Sequence, residues 1–103
     1  MKENLTFNEF HVLSAIRNKE KYGLEIIKCL KEECNTNFFL GTLYNVLSRL
    51  EKRGYVTSHW DDDDTNRGGM RRKYYRITSD GIRVLENKKA SVLATLKLAT
   101  AGG

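Results

Sequence analysis

The stretch Leu40–Val56, LGTLYNVLSRLEKRGYV, decides how the rest of this chain is read. Leu43, Val46, Leu47 and Leu50 fall at i, i+3, i+4 and i+7, so they line one face of an α-helix. The opposite face carries Gly41, Asn45, Ser48 and Lys52, flanked by Thr42, Tyr44 and Arg49. Glu51 points elsewhere, which leaves that outward face with hydrogen-bonding groups, cations and no acid. Gly54 supplies the left-handed residue that stops a helix, and Tyr55-Val56 start something extended. An apolar back with a neutral-to-basic polar front suits the major groove of DNA. Taken alone, the same stretch is also compatible with an ordinary amphipathic surface helix.

Upstream lie two more helices. Thr6 and Glu9 form a T-x-x-E capping box, with Leu5 and Phe10 placed as its hydrophobic staple. The helix they open carries Phe7, Phe10, Leu13 and Ile16 at helical spacing and runs out at Asn18-Lys19. A second helix follows from Tyr22 to Cys34, with Gly23, Ile26, Ile27, Leu30 and Cys34 as its buried stripe. Gly23 costs stability there, and close approach of another backbone would explain it. After the polar turn Asn35-Thr36-Asn37, Phe38-Phe39 lead into the helix quoted above. Two helices joined by a short turn, the second with a polar face, make a helix-turn-helix.

Beyond Gly54 the period changes. Tyr55–Trp60 and Lys73–Ile77 are rich in β-branched and aromatic residues and read as an antiparallel pair of strands. Gly68-Gly69 form the tip between them, and the pair is the wing of a winged helix. Four acids, Asp61–Asp64, precede the tip, while Arg67, Arg71, Arg72, Lys73 and Arg76 follow on the returning side. No frame of the acidic run has the alternating ligands, the glycine and the final glutamate of a calcium loop. The basic run suits a phosphate backbone or a minor groove. Trp60 and Tyr75 are expected to pack across the hairpin and onto the core.

Thr78 caps a last helix that reaches about Thr100. Ile82, Leu85, Lys89, Val92, Leu96 and Ala99 alternate three and four apart, and Val84, Leu93 and Leu98 widen the apolar surface. With the wing closing the small domain, dimerisation is the simplest use for this helix. The expected fold is mainly α with a small β-hairpin: a winged helix-turn-helix over residues 1–78 and a dimerisation helix over 79–103.

Composition sets the remaining bounds. At 103 residues, with 40% hydrophobic and 30% charged residues, the chain reads as one globular domain. No apolar run approaches a membrane span and the N-terminus has no signal-peptide core, so a cytoplasmic protein is expected. A net charge of +5 favours an anionic partner. Cys29 and Cys34 match neither a metal or redox pair nor a disulfide framework, and are expected as reduced core residues. No Ser-His-acid order, phosphate loop or metal cluster is present, and His11 and His59 have no evident catalytic partner, so neither an enzyme nor a cofactor is expected.

The run GTLYNVLSRLEKRGYV, then HW, RRKYYRIT and DGIRVLE, with Tyr22-Gly23-x-Glu25-Ile26 upstream, resembles the PadR-like family of bacterial transcription regulators. The resemblance spans about Thr6 to Leu96. One departure is Asn45, where the family usually has proline, and its amide could add a base contact. The resemblance implies a homodimeric winged-helix repressor, and a small aromatic effector is common in the family. Thr42, Tyr44, Asn45, Ser48, Arg49, Lys52, Arg71 and Arg72 are the expected contacts to a double-stranded, inverted-repeat operator. Arg49 could pair with glutamates inside the fold instead. Phe7, Phe10, Leu85, Val92, Leu93 and Leu96 are the expected dimer contacts, with the last helix against the partner's first helix near His11. A winged helix used only for protein assembly remains the alternative, and salt-dependent DNA affinity separates the two.

Overall fold

The computed structural model of the chain describes residues 4–61 and 71–101. The acidic positions Asp62–Asp64, Arg67 and the Gly68-Gly69 tip lie outside the described residues. Helix α1 (Phe7–Ala15) is followed by strand β1 (Lys21–Tyr22), α2 (Gly23–Cys34), α3 (Leu40–Lys52), β2 (Val56–Trp60), β3 (Lys73–Ile77) and α4 (Ser79–Thr100). Helices dominate, with a small antiparallel sheet, as the sequence implies.

Each boundary has a local cause. The Thr6 hydroxyl accepts the Glu9 N–H at 3.1 Å while Glu9 Oε1 accepts the Thr6 N–H at 2.9 Å, closing the capping box at α1. That helix ends at Ala15, short of Asn18, and Lys21 donates to the freed Ala15 carbonyl at 2.6 Å. Asn35 ends α2 in the left-handed region at φ 51°, and Gly54 does so after α3 at φ 79°. The Thr78 hydroxyl accepts the Gly81 N–H at 3.0 Å and opens α4.

The wing strands pair from Val56 with Ile77 to Trp60 with Lys73. A third strand, unforeseen in the sequence, joins them: β1 pairs antiparallel with β3, Lys21 opposite Tyr75 and Tyr22 opposite Tyr74, giving the order β1-β3-β2. Two residues are too few to show alternation, and Tyr22 reads equally well as a helix start. The short strand fastens the start of the helix-turn-helix to the wing.

The core gathers Val12, Leu13 and Ile16 from the α1 region, Ile26 and Leu30 from α2, and Leu43, Val46, Leu47 and Leu50 from α3. Tyr75 and Val56 enter from the sheet, and Val84 and Leu85 from α4. On α1, Phe7 is exposed and Phe10 half-buried. Three other side chains sit differently from the sequence expectation. Cys34 is exposed at the end of α2 and Cys29 only half-buried, and both are free thiols. Trp60 is 50% exposed at the far end of its strand instead of packing onto the core.

Helix α4 has two regimes. Its first turns belong to the winged-helix core, since Gly81, Val84 and Leu85 are buried, so the 78/79 division cuts through packed structure. Leu85, expected at a dimer contact, is 3% exposed within its own subunit. From Ser91 onward the helix leaves the domain: Leu93, Leu96 and Leu98 are exposed and Val92 half-buried. The chain is accordingly elongated, 58 × 31 × 22 Å.

Candidate nucleic-acid interface

The burial of Leu43, Val46, Leu47 and Leu50 fixes the rotation of α3, and therefore what it shows to solvent. Thr42, Asn45, Ser48, Arg49 and Lys52 are all exposed on the side facing away from the core. The helix contains one acid, Glu51, and its carboxylate accepts the Ser58 hydroxyl of β2 at 2.7 Å. The outward face is thus cationic and hydrogen-bonding, with its acid engaged toward the wing.

Arg49 has a double position. Its Nε lies 3.5 Å from Glu9 Oε2, yet half of its side chain remains exposed. The Glu9 carboxylate is buried and takes its shorter contact, 3.1 Å, from Arg53. Arg53 therefore carries the structural pairing and leaves Arg49 able to reach outward.

Tyr44 is held rather than free. An added Cβ on Gly23 would lie 2.5 Å from the Tyr44 hydroxyl oxygen, so α2 begins with glycine to seat this ring. The close approach inferred from Gly23 is real, but its partner is a side chain, not a backbone. Tyr44 also meets Tyr75 at a centroid distance of 6.5 Å. Burial pushes the Tyr75 phenol above its ordinary value, with Tyr44 and Glu51 adding to the shift.

The base of the wing places its cations over aromatic rings. Arg71 lies over Trp60 at 5.6 Å, Arg72 over Tyr22 at 4.4 Å, and Lys73 between Trp60 and Tyr75 at 5.7 and 5.8 Å. These stacks fix where the guanidinium groups sit without neutralising them. Arg71 Nε also donates to the Asp61 carbonyl at 3.2 Å. Between α3 and the wing base, Tyr22, Leu24, Leu40, Tyr44, Trp60 and Tyr75 wall a groove of about 550 Å³, rimmed by the three cations. Tyr22 thus joins the groove although the sequence reading does not assign it, beside Lys73 of the basic run. Tyr22 becomes visible only once β1 is paired with β3.

On the outer sheet surface, Glu20 Oε1 accepts from His59 Nε2 at 3.0 Å and from Arg76 Nη2 at 3.1 Å. Folding supplies His59 with an acidic neighbour thirty-nine residues away. Among the described residues there is no group of three or more metal-ligating side chains, and no helix long and apolar enough to cross a membrane.

This architecture matches solved regulators. A transcriptional regulator from Clostridium thermocellum superimposes with a TM-score of 0.79 at 30% identity, covering 93% of this chain and 89% of that one. A PadR family transcription regulator from Clostridium difficile R20291 gives 0.78 at 29% identity, covering 94% and 100%. Bacillus subtilis PadR, solved in complex with operator DNA, gives 0.71 at 23% identity over 80% of this chain and 47% of that one, a likeness of fold. The chain spans 63% and 54% of the length of two curated relatives that it matches. The profile of the transcriptional regulator PadR-like family matches residues 12–87. The family is one of transcription regulators and not of enzymes, and this chain belongs to it.

Proposed function

We propose that this chain is a homodimeric, sequence-specific DNA-binding regulator of the cytoplasm that represses transcription by occupying an inverted-repeat operator. The observation that carries the reading is the outward face of α3, where Thr42, Asn45, Ser48, Arg49 and Lys52 are exposed together and the helix's acid is turned to Ser58. In this reading α3 enters the major groove, with Asn45, Ser48 and Lys52 nearest the base edges or adjacent phosphates. Thr42 and Tyr44 hold the backbone, Arg49 adds charge, and Arg71 and Arg72 carry the wing's phosphate contact.

The dimer surface is the second half of α4 together with Phe7. Leu93 and Leu96 are exposed at half or more, and Phe7 at 62%. Lys88 lies over the Phe7 ring at 5.4 Å, and Val92 follows it by one turn, so Phe7 borders the exposed strip. Phe10 stands at the edge of this surface. Leu85 drops out, because its own core already holds it. A two-fold dimer sets two recognition helices about one DNA turn, roughly 34 Å, apart.

Selection of bound sequences from a random DNA pool tests the reading directly. An inverted repeat whose affinity falls with salt is expected. Failure to select any sequence, with affinity independent of salt, would favour a protein-assembly module. The groove between α3 and the wing supports a small aromatic effector, since its walls are aromatic and its size suits a small ligand. Repeating the selection and a reporter assay with aromatic compounds present tests that regulation and its sign.

A further inference from the structure

Two phenylalanines stand side by side at the entry to α3, and the fold treats them oppositely. Phe38 is half-buried and packs against the core, whereas Phe39 is 85% exposed, the most of any large apolar side chain among the described residues. Phe39 is also the N-cap of α3, with extended backbone at φ −77° and ψ 148°, and its side chain makes no cap hydrogen bond. Serine, threonine, aspartate or asparagine would satisfy an orphan N–H there. The position forgoes a cap and holds a ring in water, two unfavourable choices on the element that carries the candidate interface.

The placement of the ring ties it to that interface. Phe39 and Thr42 line the same small surface hollow, with Asn8 and Asn37 beside them. From Thr42 the exposed flank of α3 continues through Asn45 and Arg49, at helical spacings of three and four. The flank is therefore polar through Thr42 and Asn45, cationic at Arg49, and apolar at its leading end. Protein surfaces that bind other proteins deplete charge at their centre, and this flank does not.

We infer that Phe39 is a specificity residue that reads a thymine through its C5 methyl group in each half-site, at the leading end of α3. The inference rests on the DNA-binding reading of α3. In the major groove the thymine methyl is the apolar feature of a base edge, and cytosine presents an amino donor that a phenyl ring cannot satisfy. Contact between ring and methyl removes both from water without needing a hydrogen-bond partner. A ring resting on sugar or phosphate would bind without regard to the methyl.

The test uses an operator duplex selected from random DNA by the wild-type chain, with each thymine replaced in turn by deoxyuridine, which deletes only the methyl. At each member of one symmetry-related pair of positions, replacing that thymine alone should weaken wild-type binding about fourfold, the effect of burying one methyl group. Phe39→Ser, which offers α3 a capping hydroxyl and whose helix content is checked by circular dichroism, should bind the thymine and uracil duplexes equally. Wild-type affinity indifferent to every replacement would overturn the proposal, as would a selected operator with no symmetry-related thymines or a Phe39→Ser chain that still discriminates. A chain that selects no DNA overturns the DNA-binding reading itself, and a chain that binds without methyl dependence overturns only the role of Phe39.

Discussion

Arg53 grips Glu9 from forty-four residues away, with one guanidinium nitrogen 3.2 and 3.1 Å from the two carboxylate oxygens. Glu9 is 2% exposed, and its remaining partners are the Thr6 N–H and the more distant Arg49. The other Arg53 nitrogen donates to the Asn4 carbonyl at 3.2 Å. One side chain thus ties the end of α3 to the start of α1 and neutralises a buried acid.

Arg53→Ala should therefore destabilise the fold by about 1–3 kcal/mol, because a buried carboxylate loses its best partner. Arg49→Ala should cost under about 1 kcal/mol of stability, its ion pair being long and half-exposed, yet weaken DNA binding. Urea unfolding of both variants, with DNA titration of the second, separates the roles. Equal stability losses would show that Arg49 is as structural as Arg53.

Gly81 lies in the first turn of α4 against the Tyr55 carbonyl oxygen, so closely that a Cβ would collide with backbone and with the Ile77 side chain. Gly81→Ala should cost about 1–3 kcal/mol despite the better helix propensity of alanine. The loss should appear as a lower Tm with DNA contacts otherwise preserved. A variant as stable as wild type would mean that α4 can lift from the wing base freely.

Replacing both Arg71 and Arg72 with alanine should weaken binding to all DNA sequences alike. The slope of log affinity against log salt should fall by up to about two. Their stacking over Trp60 and Tyr22 makes them fixed charges, which is why loss should be uniform across sequences. An unchanged slope would remove the wing base from the DNA.

Leu93 and Leu96 are exposed within the subunit, so changing both to glutamate should leave each domain folded. Burial of one leucine contributes about 1.5–3 kcal/mol, and a two-fold contact loses each leucine twice. Dimer dissociation should rise on the order of a thousandfold or more. Light scattering should then find a monomer with little affinity for a full operator. A double variant that remains dimeric would move the interface elsewhere.

The link between Glu20 and His59 makes a pH-dependent tie between the β1 side and β2. Their hydrogen bond holds Glu20 below its ordinary 4.5 and His59 above its ordinary 6.5. The His59 contribution is full below pH 6.5 and is lost as pH rises through its raised value. The Glu20 contribution is full above pH 4.5 and is lost as pH falls through its lowered value, so the tie is strongest between the two. Both groups face solvent and the effect on stability should be small. Glu20→Gln should bring the His59 imidazole back down toward 6.5 in an NMR titration. A His59 curve that does not move would show that Glu20 is not its partner in solution.

The sequence by itself determined the parts governed by neighbours along the chain. Leu43, Val46, Leu47 and Leu50 repeat at the helical period, so Asn45, Ser48 and Lys52 had to lie outward on α3. Thr6 with Glu9, Thr78 and Gly54 set boundaries through capping and left-handed backbone, contacts that span a few residues. The wing hairpin was legible for the same reason, since alternation and β-branching are local signals. Tertiary structure alone decided which apolar residues the subunit keeps. Leu85 and Leu96 stand alike in the three-four pattern of α4, yet one is buried beside Val84 and the other is bare. It also decided the pairing of β1 with β3, the seating of Tyr44 on Gly23, and which arginine holds Glu9. Each of these joins residues distant in sequence, and periodicity along a chain carries no information about where a domain's core ends or which distant partner arrives first in reach.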